Sequence, residues 1–406
     1  MKQKIAVVGG GAAGQLAAIM AARQGGNVTL FEKNEKLGKK IYITGKGRCN
    51  VTNDSGREGF FENVIENPRF LYSAYAAFTE RDMMELLEEA GVPLKVERGQ
   101  RVFPQSDKSS DIMGALERLG RQAGVQVKLN TQVKSILTEN GEAVGLTTRE
   151  ETYYFDKIIL ATGGVSYPST GSTGEGFLMA EELGHTVTKL YPSLVPLETV
   201  ESWPFALSGL TLKNVALTVK KGEKVLYREL GEMLLTHFGV SGPLVLTASA
   251  YLAGKAEGAK LFIDFKPGMS EEMLDKRLVR DIGDNPRKTL EGALAGLLPG
   301  RLLEAVLKES GLDGKMTASN LTRGERQKLI AVLKAMPLTV KRTRGFNEAI
   351  VTRGGISVKE VQPSTLESKR IRGLYFAGEM LDVDAFTGGF NLQIAWSTGA
   401  LAGKSV

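Results

Sequence analysis

Cysteine is nearly missing from this 406-residue chain: Cys49 is the single example, beside two histidines, His185 and His237. One thiol excludes an intramolecular disulfide and a dithiol redox pair, and it suits a reducing compartment. Two histidines and one cysteine without ligand spacing exclude a structural zinc site, so no metal is expected. No stretch reaches the roughly 18 uninterrupted apolar residues of a membrane helix. Met1–Lys4, an apolar run and "AAIMAA" do imitate a secretion signal, but Gly9, Gly10 and Gly11 sit badly in its apolar core. The expectation is a soluble, cytoplasmic protein with no membrane partner. Excess charge is also scarce: 52 Lys and Arg against 46 Asp and Glu leave a net charge of +6. That mild excess favours anionic partners such as phosphates, nucleotides or RNA without selecting one.

Glycine-punctuated apolar runs are what the chain does have. Ile5–Val8 reads as a strand buried on both faces, "GGGAAG" as a turn, "QLAAIMAARQG" as a helix and "NVTLFEK" as a second strand. Asn67 and Pro68 read as cap and first residue of a helix, and Thr79 with Asp82 as a capping pair. A helix is expected over about Asp111–Ala123, strands near Val125, Val133 and Ala143, and another in "FDKIILATGG". From Pro192 to Pro267 the runs are strand-like, and from Ser270 to about Met336 they are helical and charged. "IRGLYFAGEML" then resumes the first pattern. The expected organisation is a discontinuous nucleotide-binding domain over 1–190 and 355–406. An inserted β domain would occupy 191–268 and 337–354, with a helical subdomain over 269–336.

Gly9, Gly11 and Gly14 form G-x-G-x-x-G between strand and helix, with Glu32 ending the next strand. Gly9 permits the tight turn, Gly11 lets backbone approach a pyrophosphate, and Gly14 lets helix pack on strand. The helix N-terminus supplies free N–H groups to the anion, and Glu32 can accept from a ribose. At the far end, Glu379 follows Gly378 after a strand, where a carboxylate could hold a ribityl hydroxyl, and Gly388 and Gly389 open a helix near Phe390. That helix N-terminus would stabilise negative charge on a reduced flavin.

These segments, with "TGKGRCNVTN", "ATGGVSYPSTGSTGEGF", "HFGVSGP" and "FAGEMLDVDAFTGGFNLQIAWSTG", resemble the YhiN/BaiN-like flavoproteins, a group of NAD(P)/FAD-dependent oxidoreductases. The resemblance runs from Lys4 to about Gly403. It implies an α/β fold: an FAD-binding Rossmann-like domain of the two-dinucleotide-binding type, with an inserted β domain carrying a helical subdomain. It also implies bound FAD held by Gly9, Gly11, Ala12, Ala13, Gly14, Glu32, Lys33, Gly45, Arg48, Cys49, Asn50, Val133, Ala161, Thr162, Gly163, Gly378, Glu379, Gly389, Asn391 and Leu392. Some bile-acid-processing relatives reduce conjugated steroid enones.

In the loop "ITGKGRCNVTN", Lys40, Lys46 and Arg48 offer charge to a phosphate or bound anion. Cys49 is either a reactive thiolate activated by Arg48 or a small buried hydrophobe, and the second is the commoner behaviour of a free cysteine. His237, Tyr167 and Cys49 are the candidates for chemistry, with a substrate pocket expected between the flavin and the insertion. His185 reads as a helix C-terminal residue; Asp382 and Asp384 carry no assigned role. Arg342, Arg344 and Arg353 suit either an anionic substrate, a nicotinamide phosphate or solvent. No second NAD(P) domain is visible, so NAD(P)H would visit transiently as hydride donor or be replaced by another donor. The expected function is an FAD-dependent oxidoreductase acting on a small organic substrate. A tRNA- or RNA-associated flavoprotein is the alternative, motivated by seven Lys or Arg against one acid from Leu321 to Gly345. A non-catalytic flavin-binding protein is the third reading.

Overall fold

The computed structural model describes residues 2–406. The chain divides into two compact units, one comprising the residues up to Pro192 together with Phe346–Val406, the other Ser193–Gly345.

The first unit is built on five parallel strands. β1 (Lys4–Val8), β2 (Asn27–Phe31), β3 (Gln126–Lys128), β4 (Lys157–Leu160) and β5 (Leu374–Phe376) lie in the order β5-β4-β1-β2-β3. Their register pairs Val8 with both Phe31 and Leu160. A central strand of a parallel sheet is covered on both faces, which is why Ile5, Ala6, Val7 and Val8 are all buried. α1 (Ala12–Arg23), α2 (Ser109–Ala123) and α3 (Phe390–Ser405) belong to this unit. α3 lies so near α1 that a Cβ on Gly399 or Gly403 would stand 2.3 Å from the carbonyl oxygens of Ala13 and Ala17. Two three-stranded antiparallel sheets also belong to the unit, one of Thr52–Asn53, Arg101–Pro104 and Leu94–Glu97, the other of Val133–Glu139, Glu142–Thr148 and Thr152–Tyr154.

The second unit is a closed six-stranded antiparallel barrel. Its strands run Leu197–Thr199, Gly239–Ser241, Lys224–Thr236, Thr211–Lys221, Lys260–Asp264 and Met336–Thr343, and the last pairs back onto the first. Alternation drives it: Val215, Leu217 and Val219 are buried while Thr218 and Lys220 between and beyond them are not. Helices Glu271–Asp284, Leu290–Ala293, Gly300–Glu309 and Arg323–Lys334 pack Leu274, Leu278, Leu303, Val306 and Leu329 into one core with the barrel's Leu261, Ile263 and Leu338.

Several expectations need correction. The helices of 269–336 share one hydrophobic core with the barrel that carries them and fall in the same unit. Residues 346–354 belong to the first unit, because the Thr352 hydroxyl accepts from the Val165 and Ser166 amides. "KVLYREL" and "EMLLTH" form one continuous strand, Lys224–Thr236. Asn67 does precede Pro68 as the cap residue of a short 3₁₀ turn, Pro68–Leu71, but it is left-handed (φ 51°) and makes no side-chain cap bond; its Nδ2 donates instead to the Asp382 carbonyl. The Thr79–Asp82 capping box is present. His185 lies beyond its helix, which ends at Glu182. Among the described residues no helix is long and apolar enough to cross a membrane.

Candidate dinucleotide site

The glycine turn after β1 is shaped by close backbone approach. A Cβ on Gly9 (φ +104°) would stand 2.5 Å from the Ala161 carbonyl, and one on Gly14 1.8 Å from the Gly9 carbonyl. Gly11 differs, because a Cβ there meets nothing within 4 Å. α1 has no side-chain cap at Gly11 and no acid in its first turn, so its leading amides have no side-chain acceptor from the cap. Glu32 is buried; its Oε2 accepts from Gly10 N (2.8 Å) and its Oε1 from Asn34 N and Nδ2 (2.8 and 2.7 Å). A carboxylate has about four acceptor sites, so one is left for a ribose hydroxyl. Lys33 reaches Thr173 Oγ1 at 2.6 Å and Glu175 at 3.0 Å. Val133 is buried at the head of its strand, and Ala161, Thr162 and Gly163 (φ +78°) follow β4 directly.

A second glycine-rich segment faces the N-terminus of α3. Gly45, Lys46, Gly47 and Cys49 are all left-handed, with φ of +58°, +60°, +86° and +60°. Cys49 is fully buried, and burial pushes its thiol up to about 12. Arg48 does not activate it. The guanidinium pairs with Glu97 and with Asp107 (Nε to Oδ1, 2.7 Å) and lies 4.1 Å from the Phe103 ring centre. The observed environment is that of the small buried hydrophobe. Asn53 Nδ2 donates to the Gly99 and Gly388 carbonyls (both 2.9 Å), and Thr52 Oγ1 donates to Gln393 Oε1 (2.7 Å). A Cβ on Gly389 would stand 2.3 Å from the Thr52 carbonyl, so only glycine lets α3 begin here. α3, like α1, has no side-chain cap and no acid in its first turn. Asn391 turns back to the loop before it, accepting from Ala385 N (3.0 Å) and donating to Ala385 O (2.7 Å), and Leu392 packs at the edge of the core.

Glu379 has three partners that sequence reasoning missed. Its carboxylate accepts from Lys40 Nζ (2.7 Å), Ser166 Oγ (2.6 Å) and Thr352 N (2.8 Å). Lys40, expected beside a phosphate, is therefore a partner of Glu379 and of Ser166 Oγ (2.7 Å). Tyr167 follows Ser166 in a left-handed conformation (φ 49°), and burial, then Glu348, raises its hydroxyl. Asp382 is raised by burial, and Asp384 is buried. Of the three arginines left open between an anion and solvent, Arg353 holds Glu66 (2.5 Å), while Arg342 and Arg344 both hold Glu198 (2.7 and 2.9 Å). His237 is exposed in a turn of the barrel unit, edge-on to Phe238. His185 is buried, and its Nε2 meets Ser368 Oγ at 2.9 Å.

The residues fit an extended anionic dinucleotide. Two helices open at uncapped glycines, and the space beside Gly11 is clear of protein atoms. Asn50 Oδ1 and Asn53 Oδ1 are buried acceptors without a protein donor, beside the segment that meets α3. Buried acceptors of that kind call for a donor from elsewhere, and flavin N–H and ribityl O–H groups are of the right chemistry.

Comparison with known proteins places this geometry. The profile of the HI0933-like protein Rossmann domain matches residues 3–405. A 3-dehydro-bile acid delta(4,6)-reductase of Clostridium scindens is 35% identical, over 99% of this chain and 98% of its own. A ribosomal RNA dihydrouridine synthase of Haemophilus influenzae is 32% identical, over 98% of this chain and 97% of its own. The corresponding synthase of Escherichia coli is also 32% identical, over 97% and 95%. The solved 3-ketosteroid-Δ4-(5α)-dehydrogenase of Rhodococcus jostii shares the fold. It covers 100% of this chain and 96% of its own at a TM-score of 0.52 and 17% identity.

Proposed function

The chain belongs to the HI0933-like family and is an FAD-dependent oxidoreductase; from that premise we propose that it reduces a carbon–carbon double bond conjugated to a carbonyl, in the cytoplasm, with NAD(P)H as hydride donor. One observation carries the reading. Full-length relatives with unrelated substrate names, a bile-acid Δ(4,6)-reductase and two uridine reductases, share that one reaction. A Δ4 bond beside a 3-oxo group and the C5=C6 bond of uridine are both alkenes polarised by a carbonyl. The balance is conjugated alkene plus NAD(P)H plus a proton, giving the saturated carbonyl compound and NAD(P)⁺.

Bound FAD would supply hydride transfer to the β-carbon. The chain's own residues bind and orient it. The α1 N-terminus and Gly11 would take the pyrophosphate, and Glu32 the ribose. The α3 N-terminus would stabilise negative charge on the reduced ring. Glu379, held by Lys40, Ser166 and Thr352, keeps a fixed carboxylate after β5. Cys49, fully buried, is out of reach of a substrate. Tyr167 is next in chain to Ser166 and stays protonated at neutral pH, so we assign it the proton for the α-carbon.

A uridine in RNA is a second reading for the substrate, favoured by the net charge of +6 and the two RNA-modifying relatives. The basic run from Leu321 is not what favours it, since Arg326, Lys334, Arg342 and Arg344 are each held by a carboxylate. The test is anaerobic incubation of the FAD-loaded protein and NAD(P)H with a cyclic enone or a uridine-containing ribosomal RNA fragment. A product two mass units heavier from either is expected. Neither substrate gaining two hydrogens would overturn the reading.

A further inference from the structure

The outer face of the barrel carries cations where sheet physics disfavours them. In the strand Thr211–Lys221, Leu217 and Val219 are buried, so Thr218 and Lys220 point outward. Lys220 lies directly opposite Lys260 on this face. Like charges facing each other across strands destabilise a sheet. Thr218, two residues before Lys220 on the same face, lies opposite Arg228 on one side and Phe262 on the other. Phe262 is a half-buried aromatic on this outward face, with Lys220 Nζ 5.5 Å from its ring centre. Lys260 faces Thr339 in the next strand, and Lys341 is exposed two residues further along it.

Among the described residues no carboxylate forms a direct salt bridge with Lys220, Lys260, Lys341 or Arg228, whereas in the neighbouring helices Arg326 pairs with Asp275 and Lys334 with Asp264. Lys260 Nζ donates to Thr339 Oγ1 (2.6 Å) and Lys221 to the Glu257 carbonyl, both uncharged acceptors. Of the acids nearby, Glu201 accepts from Thr339 N and Oγ1, so Lys260 meets a carboxylate only through Thr339, and Glu223, Glu229 and Glu257 stand exposed without a salt bridge among the described residues.

Unpaired cations in a row around an outward aromatic match a nucleic-acid backbone, with phosphates on the cations and a base against the ring. We infer that this outer barrel face binds single-stranded RNA backbone, which rests on the RNA reading of the substrate given above. It adds a binding surface separate in sequence from every residue assigned to FAD.

The test uses the full-length FAD-loaded protein and a fluorescein-labelled, uridine-containing ribosomal RNA fragment, with anisotropy read from 50 to 300 mM KCl. The variant K220Q/R228Q/K260Q/K341Q removes four phosphate partners. It should lower the slope of log affinity against log salt by about 3, at about 0.7 per contact, and weaken binding on the order of a hundredfold. F262A should weaken binding about tenfold without changing the slope. The quadruple variant should melt no lower than the wild type and reduce a free cyclic enone at the same rate. An unchanged slope in the quadruple variant overturns the inference. So does binding to anionic vesicles without binding to RNA. If instead the wild type reduces neither substrate while the variant's slope still falls, the reaction assignment fails and the RNA surface stands.

Discussion

Cys49 shows how a residue's surroundings decide its chemistry. Its neighbour Arg48 suggests an activated thiolate, yet the guanidinium is turned to Glu97 and Asp107 and the thiol is buried. We predict that the native protein does not react with a thiol reagent at pH 8 and that denaturation exposes one thiol per chain. The sign of the alkaline effect follows. The folded state holds the thiol near 12, above its unfolded value of 9, so its contribution is full below about pH 9 and fades towards pH 12. His185 and Glu360 act at the acid end. Burial lowers His185, and the Arg370 guanidinium at 2.5 Å, joined by Thr186, holds Glu360 at about 2. Both folded values are depressed, so their contributions are present above the ordinary values and are lost as pH falls, from about 6.5 for His185 and from 4.5 towards 2 for Glu360. Glu360→Gln should therefore lower the melting temperature at pH 7 and flatten its decline between pH 4.5 and 2, as read by thermal melts across pH.

At the scale of elements, the glycine positions separate fold from function. Gly14 is needed for α1 to sit on β1, because any side chain collides with the Gly9 carbonyl at 1.8 Å. Gly14→Ala should destabilise the apo-protein by about 3 kcal/mol. A methyl on Gly11 meets no protein atom within 4 Å, and its backbone (φ −78°) is one any residue adopts. Gly11→Ala should keep the apo melting temperature to within about 3 °C, since an unstrained surface change costs under about 0.5 kcal/mol, yet lower FAD affinity at least tenfold. Equal affinity in the two proteins would remove the pyrophosphate from this turn. This motif was legible in sequence because turn, helix and acid lie within one βαβ unit. The same holds for α3, announced by Gly388 and Gly389. The partners of Glu379 were not legible. Lys40 and Ser166 lie 339 and 213 residues away, and nothing local marks either. Arg48 misled for the same reason, since Glu97 and Asp107 reach it only through the folded 94–107 segment. Trp396 is a further hidden tie: fully buried, it donates from Nε1 to the Val51 carbonyl (2.9 Å) and fastens α3 to the chain after Cys49. Trp396→Phe should destabilise by about 1–3 kcal/mol, from the orphaned carbonyl and the lost volume, as measured by urea unfolding.

At the scale of the whole molecule, the chain leaves a dinucleotide fold after Pro192, builds a barrel with its own core, and returns at Phe346. The strand-like runs of Pro192–Pro267 forecast a β insertion, but barrel closure depends on pairing Leu197–Thr199 with Met336–Thr343, which no local pattern shows. The helices between them looked independent because their surfaces are charged. Their leucines, however, complete the barrel's core. We predict single, coincident unfolding of this helical segment with the barrel, seen as matching hydrogen-exchange protection for Leu274, Leu303 and Leu261. The proposed chemistry requires FAD held between the amino ends of α1 and α3. The most direct measurement is titration of the apo-protein with FAD, followed by flavin fluorescence and by the chromophore released on denaturation. About one FAD per chain, retained through gel filtration, is the result the account predicts. A protein that takes up no FAD and releases none would contradict it.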